Sequence, residues 1–171
     1  MLKHRFALLM GSLVIAVASL NAQAAKPEST VVAEGLDNPT GLAVQPGTGH
    51  VFIASHAGIH RYDPASGKVT AEVTGYVEPT DIYGKGPKYP IGPLGLAFWD
   101  AETLVVGGGS RVDGEELVRI FKVGKEAASE PQMESKAAVT LGPIRASDKS
   151  IKGEGNFYGV AANEGWIFVT C

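Results

Sequence analysis

Cysteine is all but missing from this chain: one residue in 171, and it is the last, Cys171. A single thiol closes no intrachain disulfide and offers neither a Cys pair for structural zinc nor a Cys-x-x-Cys-His for covalent haem. Stability therefore has to come from an ordinary apolar core. Basic runs are missing too. Fifteen Lys and Arg are scattered among eighteen Asp and Glu, for a formal net charge of −3. That distribution gives no electrostatic footprint for nucleic acid or an anionic lipid surface. After the first two dozen residues no stretch approaches the ~20 apolar residues that a spanning helix requires.

The first two dozen residues are different. Lys3, His4 and Arg5 form a basic start, Phe6 to Leu20 is apolar except for Gly11, Ser12 and Ser19, and Ala22-Gln23-Ala24 has small-x-small spacing. Residues 1–24 read as a secretory signal peptide, with a retained anchor as the alternative. Losing Lys3 and Arg5 takes the charge from −3 to about −5. The mature chain is expected to be exported (periplasmic or secreted) and free of membrane after cleavage. Residues 25–30, including Lys26-Pro27-Glu28-Ser29, are a polar leader to the domain.

What the chain has in abundance is one phrase, spoken three times. Pro39-Thr40-Gly41-Leu42-Ala43-Val44 precedes His50-Val51-Phe52-Ile53-Ala54-Ser55. Pro93-Leu94-Gly95-Leu96-Ala97-Phe98 precedes Glu102-Thr103-Leu104-Val105-Val106-Gly107. Phe157-Tyr158-Gly159-Val160-Ala161-Ala162 precedes Gly165-Trp166-Ile167-Phe168-Val169-Thr170. Each copy is a small-residue strand, a turn and a β-branched or aromatic strand, the mark of a repeat architecture.

In the first copy Gly58–Asp63 and Lys68–Val73 supply a third and fourth strand around a Pro64-Ala65-Ser66-Gly67 turn. In the second, Leu117–Val123 is a third strand, Gly124–Met133 is a polar excursion and Ser135–Leu141 closes the unit. Val31–Ala33 is an additional short strand. Four-stranded antiparallel meanders are propeller blades, so the fold class is all-β, a β-propeller with about two and a half blades over residues 31–171. The blades occupy about 39–74, 93–141 and 157–171. Closed rings have ~4–8 blades, so the expectation is the N-terminal fragment of a larger ring, with a β-sandwich or small barrel as the competing architecture.

The run Glu34-Gly35-Leu36-Asp37-Asn38-Pro39-Thr40-Gly41-Leu42-Ala43-Val44, then Pro46-Gly47 and Val51–Ala54, resembles the opening of NHL-type blades. It is similar as well to the six-bladed propellers that include gluconolactonase/regucalcin-like hydrolases and quinone-dependent sugar dehydrogenases. Ile59–Tyr62 followed by Asp63-Pro64-Ala65-Ser66-Gly67-Lys68 resembles the third strand and exit turn of the same blades. The resemblance implies a six-bladed ring with ligand or metal near its central channel. The lactonase branch carries a metal-binding Glu in a Glu-Gly-Pro-x-Trp opening, whereas Glu34-Gly35 here runs into Leu36-Asp37. Many sugar-dehydrogenase blades place an aromatic after the opening Pro, where this chain has Thr40.

Two inter-blade connections are longer than a hairpin requires. Gly75–Gly92 carries Tyr76, Asp81, Tyr83, Lys85 and Tyr89, a set suited to stacking and hydrogen bonding with a sugar or peptide, or to a structural flap. Gly142–Asn156 carries Asp148, Glu154 and Asn156, oxygen ligands that suit a hard cation such as calcium, with solvated loop charges as the plainer alternative. No cofactor is evident. His56 and His60 flank a strand turn with no third metal ligand nearby, and Asp37-Asn38 is explained by turn formation. Trp99 and Trp166 read as packing residues. Gly107-Gly108-Gly109-Ser110 lacks the strand-to-helix setting of a phosphate cradle. The function expected is an exported binding module that takes a small-molecule, carbohydrate or protein ligand on its inter-blade loops. The alternative is the N-terminal part of a hydrolase or oxidoreductase acting on sugars or lactones.

Overall fold

The computed structural model describes residues 27–76, 91–109, 114–145 and 156–170. The expected leader (residues 1–24), Cys171 and the middles of both long connections lie outside them. Every element belongs to the unit Val31–Cys171. Among the described residues no helix is long and apolar enough to cross a membrane.

Eleven strands and one short 3-10 turn make up the described structure, which is almost entirely antiparallel β. The first sheet begins β1 (Leu42–Val44), β2 (Val51–Ser55), β3 (Gly58–Asp63) and β4 (Lys68–Thr74), paired in that order. The turn between β3 and β4 is held by Asp63. Its carboxylate accepts from the Ala65 amide at 2.8 Å and the Ser66 hydroxyl at 2.6 Å, while Gly67 takes a φ of 70°. Those hydrogen bonds, the Ser66 hydroxyl foremost, hold the Asp63 carboxyl below the usual range.

The second sheet is β5 (Leu96–Asp100), β6 (Thr103–Gly107), β7 (Val118–Lys122) and β9 (Val139–Leu141). Between β7 and β9 the chain leaves that sheet. β8 (Gln132–Met133) runs parallel to β4 as the fifth strand of the first sheet, followed by a 3-10 turn at Glu134–Lys136. The expected closing strand Ser135–Leu141 is thereby shortened to its last three residues. The reason is tertiary: Gln132 and Met133 satisfy the free edge of β4, and Glu134 is drawn inward to pair with Arg119. The last sheet is a hairpin, β10 (Gly159–Asn163) and β11 (Trp166–Thr170). Its two-residue loop has positive φ at both Glu164 (45°) and Gly165 (88°), the geometry that matches strand twist. Val31–Ala33 forms no regular element, and Val31 and Val32 are largely exposed.

The alternation of side chains along each strand decides which sheet faces which. Ala43, Phe52, Ala54, Ile59 and Val73 on the first sheet meet Leu96, Phe98, Leu104, Val106 and Phe121 on the second. Phe52 and Phe98 touch edge to face with ring centroids 5.0 Å apart. The odd partners of that register, Val105, Val118 and Ile120, point the other way and pack on Phe157, Val160, Ala162, Ile167 and Val169 of the hairpin segment. The second sheet is thus buried on both faces. β1, β5 and β10, the opening strands of the three repeats, lie side by side in that order. The contact is so close that a Cβ on Gly41 would collide with the Leu94 carbonyl, and one on Gly95 would stand 2.7 Å from the Tyr158 carbonyl.

Candidate functional site

Strand ends gather at one end of this stack. Asp37 sits in the segment entering β1, where Asn38 adopts a positive φ of 47° and turns the chain. Its main-chain carbonyl accepts from the His56 amide at 2.9 Å and the Ser55 hydroxyl at 2.6 Å. Its carboxylate reaches the His56 ring, Nδ1 to Oδ2 at 2.9 Å. His56 and Ala57 form the two-residue loop between β2 and β3, since Ser55 pairs with Gly58. The contact orients the imidazole, with Nδ1 toward the carboxylate and Nε2 away from it. That Nε2 is buried and has no hydrogen-bond partner among the described residues.

Both long connections start and finish at this same end. The first leaves β4 through Tyr76, whose amide donates to the Ala57 carbonyl at 3.4 Å. It returns through Ile91–Gly95, all buried, with Gly92 against the backbone of His56. Gly109, beyond β6, would have a Cβ 3.0 Å from the Gly92 carbonyl. The second connection leaves through Gly142–Ile144, where the Gly142–Pro143 bond is cis and the Ile144 amide donates to the Glu116 carbonyl at 3.1 Å. It returns at Asn156–Phe157, with the Phe157 amide donating to the Gly108 carbonyl at 3.0 Å. Glu116 is buried in the link between β6 and β7, and its carboxylate accepts from the Gly114 amide at 2.9 Å.

Of the candidate ligand and metal residues in the two connections, Tyr76 and Asn156 are described. Tyr76 is 5% exposed. Its ring lies under the Arg119 guanidinium at 5.5 Å, and burial pushes its phenol well up from the usual range. Asn156 is also buried. Asp81, Tyr83, Lys85, Tyr89, Asp148 and Glu154 lie outside the described residues. His56 and His60 have separate roles: His56 is bound by Asp37, while His60 stands opposite Ile53 on β3 and its pKa is lowered by partial burial. Trp99 and Trp166 are exposed. Among the described residues no three His, Cys, Asp or Glu come together in a way that could hold a metal ion.

Sequence reading missed the Asp37–His56 pair because nineteen positions separate the partners. Only the register of β1 on β2 brings them together. It missed a second polar cluster for the same reason. Arg61 lies fully buried over the Phe52 ring at 4.7 Å, donating to Glu72 and to the Gly124 and Lys125 carbonyls, each at 3.0 Å. Gln45 donates from one amide nitrogen to the Ala101 carbonyl at 2.7 Å and the Gly124 carbonyl at 3.0 Å. Burial raises the Glu72 pKa, opposed by the Arg61 charge beside it. These groups clamp the first sheet to the second and present nothing to solvent.

No family model and no curated protein matches the chain.

Proposed function

We propose that the three sheets are blades of a propeller-type binding module, and that its ligand face is the end where Asp37, His56 and the two long connections meet. The observation that carries this reading is the convergence itself. The described ends of the first connection lie beside the β2–β3 loop and those of the second beside the β6–β7 link, all at one rim of the stack. Rigid sheets that hold long segments at one rim are the usual scaffold for recognition. The side-by-side order of β1, β5 and β10 supports the blade reading. Tyr83, Lys85 and Tyr89 in the first connection suit a carbohydrate, with stacking faces beside hydrogen-bond donors.

The Asp37–His56 pair also has the composition of an oriented general base, which would favour a hydrolase acting on lactones or sugars. Asp37 is exposed, but the covered ring nitrogen of His56 favours the binder. A base has to meet water or substrate, and Nε2 is covered. In a binder the pair serves to hold the entry to β1 against the β2–β3 loop and so fixes the rim.

The test is calorimetric titration of the purified protein with a panel of neutral and acidic oligosaccharides, repeated on Tyr83→Ala/Tyr89→Ala and His56→Gln. The binder reading expects at least one saccharide to bind, the double variant to abolish that binding and H56Q to weaken it. A panel that leaves the protein silent, or binding unchanged in the double variant, overturns the carbohydrate reading. Lactone hydrolysis lost in H56Q would establish the enzymatic alternative instead.

A further inference from the structure

The fifth strand of the first sheet is two residues long, and one of them is a methionine. Methionine occurs three times in the chain, and Met133 is the one among the described residues. β8 lies in parallel register on the edge of β4, Gln132 beside Val73 and Met133 beside Thr74. The side chain is no core filler, since Met133 is 50% exposed.

Two contacts place its thioether. The terminal methyl lies against Gly75, where an added Cβ would come within 2.9 Å of it. Gly75 takes a φ of 94° and leads into buried Tyr76, so the methyl sits where the first long connection leaves β4. The Thr74 hydroxyl is directed at Sδ from 3.7 Å. The same hydroxyl has a second acceptor, the Gln132 carbonyl, at 3.5 Å. One proton thus faces two acceptors at the outer limit of hydrogen-bond length, and one of them is a thioether, a weak acceptor. The polar half of the β4–β8 contact is under-used.

We propose that Met133 is a modification site and a redox-sensitive latch: a hydroperoxide converts it to the sulfoxide, and Thr74 then holds the new oxygen, tightening β8 on β4. The sulfur lone pair attacks one peroxide oxygen, so an S–O bond forms as the O–O bond breaks. The transferred oxygen gives its proton to the departing one, which leaves as water or, from an alkyl hydroperoxide, as an alcohol. Sulfur loses the two electrons that the peroxide gains. Exposure admits the oxidant, and the product exchanges a weak acceptor for a strong one beside a hydroxyl already aimed at it. Oxidation makes the sulfur a stereocentre. With the methyl held against Gly75, the favoured epimer is the one that directs its oxygen at Thr74. The step is reversible, because sulfoxide reductases return each epimer to the thioether.

The test treats the purified protein carrying Cys171→Ser, which removes the competing thiol, with hydrogen peroxide. Peptide mass maps the added oxygen, and amide exchange is compared before and after. The expected result is one oxygen on Met133. Exchange across residues 132–136 and at Tyr76 should slow by about 2- to 12-fold in the molecules carrying the favoured epimer, the gain of one ordinary hydrogen bond. Thr74→Val should still be oxidised at Met133 but show no slowing, whereas Thr74→Ser keeps the hydroxyl and should show both. A Met133 that resists peroxide overturns the proposal. So does exchange that is unchanged or faster in every oxidised molecule, or slowing that persists in T74V.

Discussion

The two internal interfaces come from one repeated phrase and are secured by different means. Between the first and second sheets, an apolar cluster around Phe52, Leu104 and Phe121 is bracketed by polar clamps. Arg61 and Gln45 reach the loop carbonyls of the neighbouring sheet, and Arg119 holds Glu134 and Tyr76. Between the second sheet and the hairpin the described buried residues are Val105, Val118 and Phe157, and the described hydrogen bonds include backbone bonds at the strand ends. Apolar burial is non-directional and tolerates sliding; an arginine that must meet three oxygens does not. The first interface is specified in register as well as held together, and the second is held together.

Four expectations follow from this difference. The largest concerns Arg61. Arg61→Ala leaves Glu72 buried without its counter-charge and should cost about 3–5 kcal/mol in chemical denaturation, whereas Arg61→Met/Glu72→Met should cost far less. The deficit of R61A should also shrink on acidification. A carboxyl whose folded pKa lies above its unfolded value binds more protons when folded, so its penalty fades as pH falls through that folded value. An R61A deficit constant across pH would mean that the clamp acts through shape alone.

Amide exchange comes next. Protection in β10 and β11 should fall about 2 kcal/mol or more short of that in β2 and β6, because the hairpin is two-stranded, most of its side chains are exposed, and its described packing is apolar. Equal protection would erase the distinction between the interfaces. Third, Gly95→Ala should destabilise by about 1–3 kcal/mol in thermal melts, since its Cβ would meet the Phe157 and Tyr158 carbonyls. Gly159→Ala should cost less, its obstacle being the Thr170 side chain, whose hydroxyl can turn away.

The smallest effect is that of His60. Partial burial lowers its folded pKa below the ordinary imidazole value, so the unfolded chain binds the proton first. Stability should decline as pH falls below the unfolded value toward the folded one. His60→Gln should flatten that segment of the melting profile. A profile that the substitution leaves unaltered would assign the acid sensitivity elsewhere.

Much of this fold was legible because it is written in local chemistry. The alternation in Gly58–Asp63 and the Pro64–Gly67 turn predict strands and a bend that the structure shows, and the thrice-repeated phrase predicts three matching strand pairs. The excursion after β7 was not legible. Nothing within Gln132–Met133 says that it will pair with Thr74, since that pairing depends on an edge left free on another sheet. Of the candidate site, the sequence identified both long connections but not the pair at their root. Asp37 satisfies a turn by itself, and only the three-dimensional register discloses that its carboxylate also serves His56. The buried arginines were hidden for a related reason. A charge within an alternating strand reads as a solvent-facing position until a neighbouring sheet is known to cover it.

The parallel strand β8 bears on the order in which the molecule can be assembled. The first sheet has four of its strands once the chain reaches Thr74, yet its fifth is contributed from 58 residues further on, after most of the second sheet has been made. As the chain emerges during synthesis, the edge of β4 waits for Gln132 and Met133, so neither sheet is finished before the other is nearly complete. The strap thus adds a main-chain tie between two repeats whose side chains already share one core.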